Sequence, residues 1–164
     1  MTTESNSSQN PQATEDKQQK FHIHRVYLKD LSFEAPLGHK AFTAKEQLKI
    51  DQELGTEVKK IDEHNFETIL RLTVTAKLED ETAFLVEVHQ AGLFHIQGLE
   101  KQALLQVLNT VCPQILFPYT REAIDSALIK GSFPPVMLPP VNFDVLFAQA
   151  MADKEAQKKK KKPH

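Results

Sequence analysis

The chain has 164 residues, of which 40% are hydrophobic and 26% charged, the balance of a soluble globular protein of about one domain. It holds no run of about 18 apolar residues that could span a membrane, and its first residues lack the basic start and apolar stretch of a secretory signal. Its one cysteine, Cys112, excludes an intramolecular disulfide and fits a reducing compartment, so the expected location is the cytoplasm.

The net charge of −2 is unevenly spread: residues 152–164 carry six lysines against Asp153 and Glu155, a net of +4, which leaves −6 on the rest. An acidic body lacks the clustered Lys and Arg that phosphate contacts need, which argues against nucleic-acid binding. It suits a basic protein partner.

Residues 1–20 are rich in Ser, Gln, Asn and Thr without apolar periodicity and are expected to form a disordered tail. Residues 152–164 are expected to form a second, basic one, with a single domain over 21–151 between them. Phe21–Leu31 reads as a strand whose alternation Arg25 interrupts, and Phe33–Gly38, punctuated by Pro36 and Gly38, as a loop. Gln47–Val58 is a weaker strand. Phe66–Leu78 alternates cleanly, with Phe66, Thr68, Leu70, Leu72, Val74 and Ala76 on one face. Glu79-Asp80-Glu81 is a polar turn into a strand from Thr82 to about Gly92, which completes an antiparallel hairpin. On it Phe84, Val86 and Val88 share one face, and Leu85, Glu87 and His89 the other.

After Gly98 the period becomes helical. Leu104, Leu105, Leu108, Val111 and Cys112 form one stripe, and Pro113 either ends that helix or starts the next. A second helix is expected over Thr120–Lys130, with Gly131 as a C-terminal cap at positive φ. Four prolines make Phe133–Pro140 an extended connector, and Asn142 can cap a last helix with Phe143, Leu146, Phe147, Ala150 and Met151 on its apolar face. Strands first and helices second predict an α+β domain, a four-stranded antiparallel sheet with helices on one face. Surplus apolar positions on both strand faces and on the first helix point to burial against another subunit.

No catalytic pattern stands out. Five glycines include no phosphate-cradling loop, and no G-x-S-x-G occurs. Cys112 reads as a small buried apolar residue rather than a nucleophile. His22 and His24 share a strand face, with His89 and His95 farther along; a metal site would need a third ligand and supporting partners that spacing does not mark. The expectation is therefore no metal and no cofactor. Aromatic residues gather outside the strands, and those not needed for the core can wall a groove of low specificity. Asp30, Glu34 and Glu87 read from spacing alone as solvated surface.

Tyr27-Leu-Lys-Asp-Leu-Ser-Phe-Glu-Ala-Pro36, Glu81-Thr-Ala-Phe-Leu-Val-Glu-Val-His-Gln90, Cys112-Pro-Gln-Ile-Leu-Phe-Pro-Tyr-Thr-Arg-Glu122, Gly131-Ser-Phe-Pro134 and Pro139-Pro-Val-Asn-Phe-Asp144 together resemble the SecB export-chaperone family, in matching order from about Phe21 to Met151. The resemblance implies a homotetramer, a dimer of dimers joined through sheets and through the first long helix. It implies ATP-independent binding of unfolded pre-secretory proteins in hydrophobic grooves and their delivery to the SecA motor, without membrane insertion. By position it places the motor contact on Asp30, Glu34, Leu85 and Glu87, and ties Val86, Val88 and Gln90, with Leu104 and Leu108 on the first helix, to assembly. It points to Phe33, Phe42, Phe117, Tyr119 and Phe133 as groove residues. Family members often carry a Trp in the crossover loop; this chain has none, and Glu46 sits near that place. Two other readings stand beside this one: a chaperone of the same fold dedicated to an antitoxin or other single client, and a small enzyme using the histidines.

Overall fold

A computed structural model describes residues 18–160. Four strands, β1 (Lys20–Glu34), β2 (Lys49–Lys60), β3 (Asn65–Leu78) and β4 (Glu81–Gln97), form one antiparallel sheet in the order β1-β4-β3-β2. A short α1 (Lys40–Thr43) lies in the β1–β2 crossover, and α2 (Lys101–Asn109), α3 (Val111–Lys130) and α4 (Phe143–Lys160) follow the sheet. The expected α+β architecture is the observed one.

The β3–β4 hairpin forms as its alternation predicts. Leu70, Leu72, Val74, Val86, Val88 and Phe94 are fully or nearly fully buried, and pack with Leu108, Cys112, Leu116 and Ile124 of α2 and α3 in one core. Each such side chain contributes about 1.5–3 kcal/mol by leaving water. Glu79 turns the hairpin at φ 52°. β4 runs on past Gly92 to Gln97, where Gly98 at φ 80° ends it. Gly92 is not a stop: a Cβ there would lie 2.5 Å from the Phe94 ring and 2.9 Å from Leu116, so glycine is needed for space.

β1 reaches Glu34, so Phe33 and Glu34 belong to the strand and the loop is shorter than expected. Its broken alternation has a physical cause. The pairing with β4 shifts between Ile23 and Arg25 and between Leu28 and Asp30, leaving His24 and Lys29 as extra, bulged residues. Between the bulges Arg25 and Tyr27 point away from the helices; beyond the second, Asp30, Ser32 and Glu34 do so, paired with His89, Glu87 and Leu85.

The helices differ more from expectation. Thr110, at φ −124° and ψ −65°, breaks the first helical stripe, and α3 begins at Val111, with Pro113 in its first turn where a missing N–H costs nothing. α3 is thus one 20-residue helix that carries Pro118 within it. Gly131 does not take a positive φ; it sits at −82°, and Ser132 takes 62° instead. Glycine is required at 131 because a Cβ would come 2.3 Å from the Phe33 ring. Asn142 does cap α4, its Oδ1 accepting from the Val145 N–H at 3.1 Å. α4 then continues to Lys160, so residues 152–160 are helical rather than a disordered tail. Ala, Gln, Glu and Lys there are strong helix formers, and lysines in the last turn complement the helix dipole. The tail expectations for residues 1–17 and 161–164 fall outside the described residues.

Candidate functional site

The sheet has two unlike sides, and β1 contributes to both. On the side away from the helices, cross-strand pairing brings Asp30 opposite His89, Ser32 opposite Glu87 and Glu34 opposite Leu85. Asp30, Glu34, Leu85 and Glu87 therefore share one patch at one end of two neighbouring strands. Thr73 donates its hydroxyl proton to Glu87 Oε2 at 2.9 Å, and His89 Nε2 lies 2.8 Å from Glu87 Oε1. The Thr73 and His89 hydrogen bonds hold the Glu87 carboxyl below its ordinary pKa, which fixes its negative charge at neutral pH. Asp30, Glu87 and His89 each offer a ligand atom within 4.8 Å of the others. The same pairing rows reach Glu53 through Thr73 and Asp51 through Thr75. Spacing missed these two acids because the alternation of β2 is weak; the strand register is the signal that finds them.

Farther along the same face, Glu67 is nearly buried. The Tyr27 hydroxyl and the Lys29 ammonium both donate to it, the latter to both oxygens at 3.0 and 2.9 Å. Burial pushes the Glu67 pKa up, but the Tyr27 and Lys29 hydrogen bonds outweigh it and the net position is below the ordinary carboxylate range. The hydrogen bond to Glu67, with burial, pushes the Tyr27 hydroxyl up to about 12.

On the helix side, Leu28, Leu31 and Phe33 of β1 face Ala123, Ala127 and Lys130 of α3 across a groove of about 360 Å³. Leu28 is 49% exposed and Leu31 39%, so this apolar wall is open to solvent. Behind Phe33 stands Phe133, whose ring centroid lies 6.3 Å from that of Phe33, 4.9 Å from Phe42 and 4.8 Å from Phe84. Phe133 is buried and backs the groove, while Phe42 lies exposed on top of it. Phe117 belongs elsewhere: it packs against Phe143 at 6.1 Å and lines a separate cavity of about 290 Å³ with Leu54, Leu138 and Leu146. Tyr119 is 53% exposed and lines neither. Four of the five aromatics thus divide between two places and Tyr119 lies at neither, and the groove wall that spacing missed is aliphatic. Leu28 and Leu31 reach it because the bulge at Lys29 resets the side on which later residues of β1 fall.

The residues tied to assembly lie mostly inside the protomer. Val86 and Val88 are fully buried, Leu108 and Gln90 are buried, and Leu104 packs against the core. Outside the groove, the exposed apolar residues include Phe21 and Ile23 on β1, Leu105 on α2 and Val111 at the start of α3. Burial pushes the Cys112 thiol up to about 12, so it stays protonated and weakly nucleophilic. Among the described residues, no helix is long and apolar enough to cross a membrane.

Known proteins resemble this chain in sequence and in fold. The SecB-like chaperone of Mycobacterium tuberculosis, solved with a peptide from the HigA1 antitoxin, superposes with a TM-score of 0.60 over 74% of this chain and 88% of that one, at 16% identity, a likeness of fold. The Protein-export protein SecB of Cellvibrio japonicus is 52% identical over 96% of this chain and 93% of its own length. That of Saccharophagus degradans is 53% identical over 80% of this chain and 79% of its own. The family described as Preprotein translocase subunit SecB matches residues 14–154, from ahead of β1 into α4. With its whole sheet, α1 to α3 and most of α4 inside that match, the chain belongs to the SecB family.

Proposed function

We propose that this chain is an ATP-independent export chaperone of the cytoplasm that holds unfolded precursor proteins and hands them to SecA, with no turnover chemistry of its own. The observation that carries this reading is the two-sided sheet: an open apolar groove toward the helices and an acidic patch on the opposite side. Leu28, Leu31 and Phe33 would take apolar client side chains with little regard for sequence. Asp30, Glu34, Leu85 and Glu87 would take a basic surface of the motor. The high thiol pKa of Cys112 supports a non-catalytic role.

The same reading includes a homotetramer. β1 is a 15-residue edge strand with exposed Phe21 and Ile23, the kind of edge that a second sheet covers. Leu105 and Val111 give the helical layer an apolar patch for a second contact. Several grooves on one assembly would raise affinity for a long client by avidity.

The test is aggregation of an unfolded precursor, followed by light scattering without nucleotide. A delay proportional to chaperone added is expected, and Leu31→Glu should shorten it. No delay by the wild-type chain sinks the proposal. Co-purification of one dominant partner in place of many precursors would favour the dedicated-client reading.

A further inference from the structure

At the end of the sheet remote from the acidic patch, four histidines surround one asparagine. His22 on β1 is the direct cross-strand partner of His95 on β4, and His95 is in turn the partner of Asn65 on β3. The bulge brings His24 to the same place, and His64 closes the group from the residue before β3. Ring centroids are 5.1 Å apart for His22 and His24, 5.9 Å for His24 and His95, and 5.9 Å for His64 and His95. Two imidazoles on one tetrahedral zinc, with Zn–N of about 2.0–2.1 Å, place their ring centroids roughly 5 Å apart. The His22–His24 pair already meets that value, and the two 5.9 Å pairs lie a little beyond it. The ring nitrogens of three of these histidines do not yet meet within 4.8 Å, so the rings must turn to share one ion, and His22 and His24 are exposed.

The second observation is how the rings are held. Asn65 donates its amide protons to Asp62, at 2.9 Å to Oδ1 and 2.8 Å to Oδ2. A carboxylate only accepts, so the asparagine amide is oriented with its oxygen toward the rings. That oxygen lies 3.1 Å from His24 Nε2 and 3.2 Å from His95 Nδ1. Each of those nitrogens must therefore carry the proton, which leaves a lone pair on His24 Nδ1 and on His95 Nε2. Asp62 is itself fixed by the backbone N–H groups of His64 and Asn65, at 3.0 and 2.9 Å. A ligand histidine whose other nitrogen donates to an outer partner is the usual arrangement around a protein-bound metal.

We propose that His22, His24 and His95, with His64 as fourth ligand, form a binding site for a divalent transition-metal ion of the imidazole-binding class, of which zinc is the probe. The ion would tie edge strand β1 to β4 and to the turn before β3. Untagged full-length protein, stripped with EDTA and dialysed, is titrated with zinc at neutral pH by calorimetry. One ion per chain is expected. His95→Ala should weaken binding at least about tenfold, and Asn65→Leu, which removes no ligand, by about tenfold to a hundredfold. His24→Ala, at an exposed position, gives a second reading in a variant whose core is untouched. Absence of zinc binding at micromolar concentrations overturns the proposal. So does binding that survives the combined His22→Ala, His24→Ala and His95→Ala variant. Binding lost instead on Asp30→Asn with His89→Ala would place the ion on the acidic patch and equally overturn it.

Discussion

Tyr27→Phe deletes one donor from the open side of the sheet and leaves the rest of the network standing. Phenylalanine keeps the ring opposite Ala91 and removes only the hydroxyl that donates to Glu67. The Glu67 side chain is 11% exposed, so water replaces that donor poorly. A hydrogen bond to a charged group contributes about 1.5–3 kcal/mol. Lys29 still donates to both carboxylate oxygens and its own side chain is 37% exposed, which favours the lower end, about 1.5 kcal/mol. Urea unfolding measures the difference, at a fixed chain concentration because the proposed assembly would make stability depend on concentration. The pH dependence follows from the shifted groups. The folded-state pKa of Glu67 is lowered, so its stabilisation is present above the ordinary carboxylate pKa and is lost as pH falls through the lowered value. The gap between wild type and variant should therefore be full at neutral pH and close in acid. Tyr27, raised to about 12, adds a contribution that is present below its ordinary value of 10.0 and is lost as pH rises through about 12. Equal urea midpoints at neutral pH, or a gap that persists undiminished in acid, would refute this reasoning.

Gly92→Ala should destabilise the fold by about 1–3 kcal/mol, because its methyl meets the buried Phe94 ring and Leu116 at 2.5 and 2.9 Å. Gly55→Ala, with nothing within 4 Å, is the control, and equal melting temperatures for the two variants would contradict the packing account. Glu87→Lys should weaken SecA binding at least about tenfold at low salt, since like charges brought together cost several kcal/mol. Aggregation suppression should stay at the wild-type level; if both fall together, the two sides of the sheet are not separate surfaces.

Where one side of an element faces the core and the other faces water, the sequence pattern is legible. β3 and β4 show this best, since alternation of Leu70, Leu72 and Val74 against Arg71 and Thr73 states which face is buried. Bulges are not legible in the same way. His24 and Lys29 are ordinary strand-surface residues, and only the pairing with β4 reveals that each is one residue too many. Glycine misleads for a related reason. At Gly92 and Gly131 the need is for space against Phe94 and Phe33, a long-range fact, whereas local rules read glycine as a stop or a cap. The acidic patch was placed by resemblance and gains its geometry from the register. The groove is only partly legible, because Phe117 and Phe133 differ in what they pack against and not in any local signal. His64 joins the histidine group through the fold alone.

Lys29 has a consequence beyond its bond to Glu67. Between the His24 bulge and Lys29, odd-numbered residues of β1 share the acidic side; after Lys29, even-numbered ones do. One supernumerary residue thus sorts Asp30 and Glu34 to one side and Leu31 and Phe33 to the other. Were the bulge straightened with Lys29 kept, Lys29 would take the place opposite His89 and every later residue would change sides, turning carboxylates into the groove and hydrocarbon onto the charged side. Neighbouring residues of a single ribbon would then have traded recipients, with no change in composition at all.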